Sequence, residues 1–350
     1  MPPFSPGKCV VVLGAGATRG ADSREGAQCL PPLNTDFFTQ LQRITRPKHF
    51  DVVEAVIRDV VDLFGPNFTV SMEDYFTQLE SIQRTVRRAG AAAPALTQHA
   101  VAQKRERLMA ALAATLEEST DVSKRDSPVC TRHAALVATL KPRDTVISFN
   151  YDCVTDHAFR KAGTGKWSAR HGYAFPRPAR ISGEEYWDAP NPPGSASATA
   201  YLLKLHGSLN WQLPPAATAL TAPIKIKQRL YQLNGTPKFT IIPPEWSKQV
   251  DEDDNFKALW RNAERAIRNA RIIALVGFSF TPTDSHVESL FRVALAGNHD
   301  LETLVVANPS IDDRRRIRSI FAPTLGRRRA VVRQFEKLKD LTGHLPDALS

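Results

Sequence analysis

Cysteine is scarce in this chain: Cys9, Cys29, Cys130 and Cys153 are the only four in 350 residues, and no two are separated by just two positions. That spacing excludes a paired CxxC zinc site, and four thiols in so long a chain do not make a disulfide scaffold. Cys9 and Cys153 lie beside apolar, strand-like runs and read as small buried residues. Long apolar stretches are missing as well. The longest, such as Ile272-Ile-Ala-Leu-Val276, fall far short of the roughly 20 residues that cross a bilayer. The opening residues, Met-Pro-Pro-Phe-Ser-Pro-Gly-Lys, lack the apolar core of a secretion signal. A cytoplasmic protein with no membrane association is therefore expected. What is present is ordinary for a globular chain: 42% hydrophobic and 23% charged residues bury a core and argue against disorder throughout. The length suits one large domain or two modest ones.

Acidic residues fall short of basic ones by ten, 36 against 46. The excess is concentrated. Between Ile311 and Asp340 ten basic residues (Arg314, Arg315, Arg316, Arg318, Arg327, Arg328, Arg329, Arg333, Lys337 and Lys339) face four acidic ones, a local net of +6. A solvated helix face and loop is the plain reading of such a run. It is also a candidate contact for nucleic acid or an acidic partner, though charge alone names neither.

Lys8–Leu13 is a short β-branched run fit for a buried strand, followed at once by Gly14-Ala-Gly16-Ala-Thr18. Ser71 precedes Met72, Tyr75, Phe76, Leu79 and Ile82, spaced as one helix face, with Asp74 placed for a capping box. Helical patterns also cover Pro94–Leu116 and His133–Leu140, so residues 35–140 are expected to be a mostly helical insertion. Further strands are expected at Asp144–Phe149, Tyr201–Leu205, Lys238–Ile242, Ile272–Val276, Leu304–Ala307 and Ala330–Arg333, and a surface loop at Ile181–Thr199. A helical stripe of Phe256, Leu259, Trp260, Ala263, Ile267 and Ala270 precedes Ile272, and Ser310 with Asp313 is placed to cap the helix after Asn308-Pro309. Strand alternating with helix is the pattern of right-handed crossovers in a parallel sheet. The fold class is thus α/β: a Rossmann-like, three-layer parallel sheet formed by residues 1–34 and 141–350, interrupted by the helical insertion.

Three polar edges carry the candidate chemistry. Gly14-x-Gly16 after a strand suits close approach of an anion, but Arg19 stands where the third glycine of a GxGxxG fingerprint belongs. Asn150 and Asp152 follow the second strand, at the carboxyl edge where open α/β sheets bind ligands. A self-satisfied Asx turn is the bland alternative there. His206, followed by Gly207, closes the third strand; an imidazole exchanges protons near neutral pH, although a lone histidine at such a place is more often structural.

Gly14-Ala-Gly16-Ala-Thr18, Phe149-Asn150-Tyr151-Asp152, Leu205-His206-Gly207-Ser208, Gly277-Phe-Ser279 and Asn308-Pro309 stand in the order and spacing of the sirtuin-like superfamily. The chain resembles most its bacterial branch, found in anti-phage defence proteins, over about residues 8–335. The resemblance implies that Gly14, Ala15, Gly16 and Ala17 cradle the phosphates of NAD, with Thr18 in the place of a small hydroxyl residue. It further implies that Asn150 orients the nicotinamide ribose and an attacking water, that Asp152 contacts the nicotinamide carboxamide, and that His206 is the general base. Gly277 and Ser279 would line the adenosine ribose and phosphate side, with Asn308 near the adenine ribose. The four-cysteine zinc module of the deacetylating members is absent, and Asp36-Phe37-Phe38 is only a partial echo of their Asp-Phe-Arg, with Arg24 as a possible substitute. Hydrolysis of NAD to nicotinamide and ADP-ribose, with no zinc, is therefore expected ahead of deacylation, ADP-ribosyl transfer or a non-catalytic NAD or ADP-ribose sensor. Relatives are held in check by assembly or partners. Because little chain follows residue 340, a homo-oligomer with a separately encoded partner, a HerA-type helicase/ATPase or an Argonaute-like protein, is expected in place of a fused sensor.

Overall fold

Val10-Val-Val-Leu13 has no polar side to offer water, and all four residues are fully buried. They form the middle of the sheet, where each such side chain contributes about 2 kcal/mol by leaving water. The computed structural model describes residues 4–22, 26–91, 93–122, 127–177, 187–212, 224–227, 240–241, 254–281 and 285–349. Six strands, β1 (Cys9–Leu13), β2 (Thr145–Ser148), β3 (Tyr201–Lys204), β4 (Ile272–Val276), β5 (Thr303–Ala307) and β6 (Val331–Phe335), make one sheet in the order β6-β5-β4-β1-β2-β3. Every pairing in it is parallel. From β1 the chain winds outward through β2 and β3, then returns to the other side of β1 for β4, β5 and β6. This is the doubly wound, Rossmann-like α/β topology, and its switch point lies between β1 and β4.

The flanking helices are α1 (Ala15–Arg19), α2 (Phe37–Leu41), α3 (Phe50–Phe64), α4 (Met72–Ala89), α5 (Gln98–Thr120), α6 (Thr131–Thr139), α7 (Val154–Ala162), α8 (Asp254–Arg268), α9 (Ser285–Ala296) and α10 (Ile311–Arg328). None among the described residues is long and apolar enough to cross a membrane. Ser71 caps α4 by accepting from the Asp74 amide at 3.1 Å, and Ser310 caps α10 by accepting from the Asp313 amide at 3.1 Å. The box at Ser71 is only half formed, because the Asp74 carboxylate meets the Ser71 hydroxyl at 2.8 Å. All four cysteines are buried, and none is in a disulfide.

Several boundaries differ from expectation. Helix α6 packs on α7 and on the C-terminal turns Leu338–Thr342 and Leu345–Ala348, so by its contacts it belongs with the sheet, and the inserted layer proper is α2–α5. Thr240–Ile241 is a strand, but it pairs antiparallel with Gly207–Ser208 outside the main sheet; Lys238, Phe239 and Ile242 lie outside the described residues. Trp187, expected in a surface loop, is fully buried and donates Nε1–H to the Lys227 carbonyl at 2.8 Å; residues 181–186 and Arg24 lie outside the described residues. The last strand is Val331–Phe335, an edge strand whose side chains alternate poorly because most are exposed.

One packing feature predicts how acid acts on the fold. His133 in α6 is fully buried, its Nδ1 3.0 Å from Cys130 Sγ, and burial pulls its pKa down from 6.5 to about 4. The unfolded chain therefore takes up this proton below pH 6.5, whereas the folded chain resists until about 4. Stability from the neutral ring is present above pH 6.5 and is lost as pH falls toward 4, amounting to about 3 kcal/mol across that window. Urea titrations over this range are expected to show the loss. In His133→Gln the slope should flatten by about one proton.

Candidate functional site

Register sets the geometry. Leu13 of β1 pairs with Ser148 of β2 and Val276 of β4, Ser148 with Lys204 of β3, and Val276 with Ala307 of β5. Five strand ends thus stand at one level. The next residues, Gly14, Phe149, Leu205, Gly277 and Asn308, continue the ladder with backbone bonds of 2.8–3.1 Å. Asn150 and His206 each come two residues past a paired position on neighbouring strands, which brings them to the same height at the carboxyl edge.

A cleft of about 460 Å³ opens there, lined by Gly14, Ala15, Gly16, Thr18, Asn150, Asp152, His206, Gly277, Ser279 and Asn308. Ten of the eleven expected site residues are therefore brought together, and Ala17 is packed beneath the turn at 0% exposure. The glycines are demanded by close contact with the loop after β4. A Cβ on Gly14 would lie 2.5 Å from the Gly277 carbonyl oxygen, and one on Gly277 (φ +54°) would lie 2.1 Å from the Ala17 nitrogen. The amides of Gly14, Gly16 and Ala17 bond to the carbonyls of Val276, Gly277 and Gly14 at 2.9–3.1 Å. The turn accordingly presents a small-residue surface more than the fan of donors expected of it.

Asn150, 7% exposed, donates from Nδ2 to the Gly14 carbonyl and to Thr18 Oγ1, both at 2.9 Å. A carbonyl only accepts, which fixes the orientation of the amide. With both N–H bonds engaged, Oδ1 is the polar atom Asn150 has left for the cleft. Thr18 in turn donates to Asp152 Oδ2 at 2.8 Å, and Asp152 Oδ1 accepts from the Val154 amide at 2.9 Å. Asp152 is 4% exposed, and burial pushes its pKa up against the pull of Lys204. It thus holds Thr18 instead of standing free for a ligand amide. Asn308 is engaged in the same way: Nδ2 donates to the Phe278 carbonyl at 3.0 Å and Oδ1 accepts from the Ser310 amide at 2.9 Å, clamping the loops after β4 and β5 together. Arg314, from the basic run, donates to the Asn308 carbonyl at 2.5 Å.

His206, 4% exposed, sits among aromatic rings, edge-on to Phe149 at 5.1 Å between centroids and stacked with Tyr151 at 6.1 Å. Phe149 also packs on Phe278 at 4.9 Å, so one side of the cleft is aromatic. The opposite wall was not legible in the sequence. It comes from Pro31–Thr35, which lead into the insertion, and from the insertion itself: Met72 and Glu73 at the start of α4, and Leu112 and Leu116 of α5. Asn34 Oδ1 accepts from the Glu73 amide at 2.9 Å and joins two parts of that wall. Arg19, in the place of the missing third glycine, reaches across to the Pro31 carbonyl at 2.5 Å and pairs with Asp36. Glu73, Asp152 and Asp313 put three carboxylates on the lining, and among the described residues no lysine or arginine joins them.

Fold and cleft together define a doubly wound α/β protein with an open cleft at its topological switch point. No family model matches the chain, and no curated protein matches it.

If Arg19 holds the wall against the glycine turn, Arg19→Ala should loosen it. Amide hydrogen exchange in the Gly14–Thr18 turn is expected to speed up about fivefold. The melting temperature should change little, since the ion pair is about a quarter exposed on both sides.

Proposed function

We propose that this chain is an NAD hydrolase of the sirtuin-like kind, releasing nicotinamide and ADP-ribose, and that it acts as an effector draining NAD in anti-phage or anti-plasmid defence. One observation carries the reading: an amide whose N–H groups are both bonded to the glycine turn and an imidazole stand at equal height on adjacent strands, in one cleft at the switch point. Breaking the nicotinamide–ribose bond builds positive charge on the sugar. The oxygen of Asn150 left over by its two N–H bonds, and Glu73 and Asp313 on a lining that among the described residues holds no lysine or arginine, suit that charge and the cationic nicotinamide ring alike. The aromatic side offers a stacking surface for a base, and Ser279, Thr281 and Ser310 are further lining residues from the loops after β4 and β5.

In this scheme water adds to the ribose carbon and the glycosidic electron pair leaves with nicotinamide. His206 takes the proton of the water, which Asn150 Oδ1 orients. The decisive assay incubates purified protein with NAD and quantifies nicotinamide and ADP-ribose. Equimolar products from wild type and none from an Asn150→Ala, His206→Ala double variant are expected. Equal turnover by both would remove the site assignment. O-acyl-ADP-ribose or a modified protein would move the reading to a transferase, and tight binding without turnover to a sensor. A homo-oligomer associated with a separately encoded subunit belongs to the same proposal, and light scattering of the protein with and without its operon neighbour tests it.

A further inference from the structure

A buried ion pair stands behind the cleft, and the reaction scheme makes no use of it. Lys204, the last residue of β3, is 1% exposed, and Asp156 in α7 is fully buried. The ammonium donates to Asp156 Oδ2 at 3.0 Å and to the backbone carbonyl of Asp152. Asp156 Oδ1 accepts from Tyr173 OH at 2.5 Å, and that hydroxyl accepts from Asn210 Nδ2 at 3.2 Å. The same Nδ2 reaches Asp156 Oδ1 at 3.5 Å. Two opposite charges taken out of water are seldom the most stable filling of an interior, since apolar side chains of similar volume often do as well or better. The pair therefore calls for a reason other than stability.

The reason lies in what the pair holds. His206 sits in the turn between Lys204 and Asn210, and the side chains at both ends of that turn converge on Asp156, Asn210 chiefly through the Tyr173 hydroxyl. Two backbone bonds also hold the turn to the chain at and beyond the end of β2. The Leu205 amide donates to the Ser148 carbonyl and the Leu209 amide to the Tyr151 carbonyl, both at 3.0 Å. Two points define only an axis, about which the segment between them can swing. Gly207–Ser208 pairs with Thr240–Ile241, but a ribbon two residues long adds little stiffness. Asp156 supplies a third point, from α7, and a third point stops the swing. Through the Asp152 carbonyl, Lys204 ties in the segment that carries Asn150 as well.

We propose that Asp156 and Lys204 are positioning residues: as a buried strut joining α7, the Asn150 segment and the His206 turn, they fix where the imidazole stands relative to Asn150. A general base works only within hydrogen-bond reach of the proton it takes, and a displacement of about 1 Å can cost about a hundredfold in rate. The kinetic arm of this inference rests on the NAD-hydrolase reading; the placement of the imidazole does not.

The test reads the His206 ring by NMR, because its neighbours Phe149, at 5.1 Å, and Tyr151, at 6.1 Å, displace its signals. Wild type is expected to show one displaced set, with through-space contacts to both rings. Lys204→Met combined with Asp156→Leu removes both charges together, so that neither is left alone in the interior. In this double variant the His206 signals should move toward those of an unstacked histidine, and the contacts should weaken. NAD turnover should lose about tenfold or more in kcat, with KM within about twofold. Asn210→Ala frees one end of the turn and leaves the ion pair in place; it should move the same signals and lower kcat about threefold. A folded double variant with wild-type His206 signals, or with moved signals and wild-type kcat, would overturn the assignment. Should the double variant not fold, wild-type His206 signals in Asn210→Ala would overturn it in the same way. Should wild type not cleave NAD, the hydrolase reading fails alone, because the His206 signals still decide the role of the strut.

Discussion

In the proposed hydrolysis of NAD, Asn150→Asp is expected to lower turnover about a thousandfold while the protein stays folded. The change is nearly isosteric, but it replaces a donor with a carboxylate beside the Gly14 carbonyl and Thr18 Oγ1, each now 2.9 Å from Asn150 Nδ2. An oxygen there meets acceptor against acceptor at Gly14, and the side chain turns away from its present pose. Loss of one oriented polar group in an active site costs about 10²–10³ in rate, and loss of a general base about 10²–10⁴. His206→Ala should therefore fall in the same range, and the double variant should be little worse than the poorer single one, as for residues that act as a unit. Product quantification from NAD checks all three. An Asn150→Asp protein with more than a tenth of wild-type turnover would show that the amide does not orient the chemistry.

Gly277→Ala should be severely destabilising for the addition of a single methyl group. The added Cβ would sit 2.1 Å from the Ala17 nitrogen and 2.2 Å from the Gly16 carbonyl carbon, at φ +54°. These neighbours are backbone atoms of the glycine turn, which is held by β1 and cannot move without breaking its bonds to Val276 and Gly277. Strain of about 1–3 kcal/mol for the backbone conformation adds to the clash, so a loss of more than about 3 kcal/mol is expected. Gly194→Ala, where nothing lies within 4 Å of the new carbon, serves as the control and should be near neutral. Chemical denaturation of the two variants side by side measures the difference. A Gly277→Ala protein as stable as the control would mean that the two loops are free to part.

How much of this was legible in the sequence depends on burial. Strand β4 has the bounds expected of it and β1 differs by one residue, because both are uninterrupted apolar runs with every side chain buried. The caps at Ser71 and Ser310 were legible because a hydroxyl three residues ahead of an acidic residue is local chemistry. Strand β6 was read too early and too short, since an edge strand with exposed side chains carries no alternation to read. Asn150 and His206 were legible as strand-end polar residues, and their equal height is a consequence of parallel register. The second wall of the cleft was not. Leu112 and Leu116 look like any core leucines of a helix, and only the fold shows that the inserted layer closes over the switch point. Nor does a residue list show that Asp152 and Asn308 turn their polar atoms toward their own loops. Hydrogen-bond direction belongs to three dimensions.

The outer rim of β6 has a consequence for how copies of the molecule meet. It is the terminal strand of the sheet, Val331 is 57% exposed, and among the described residues no strand pairs with its outer backbone groups. Such a rim invites lateral zippering into fibrils. Arg333, in the middle of the strand, donates to the Asp347 carbonyl, and Arg328 and Arg329 stand just before the strand and Lys337 just after it, so two rims brought side by side would bring like charges together. The cationic run thereby acts as an insulator, keeping the sheet finite without covering it.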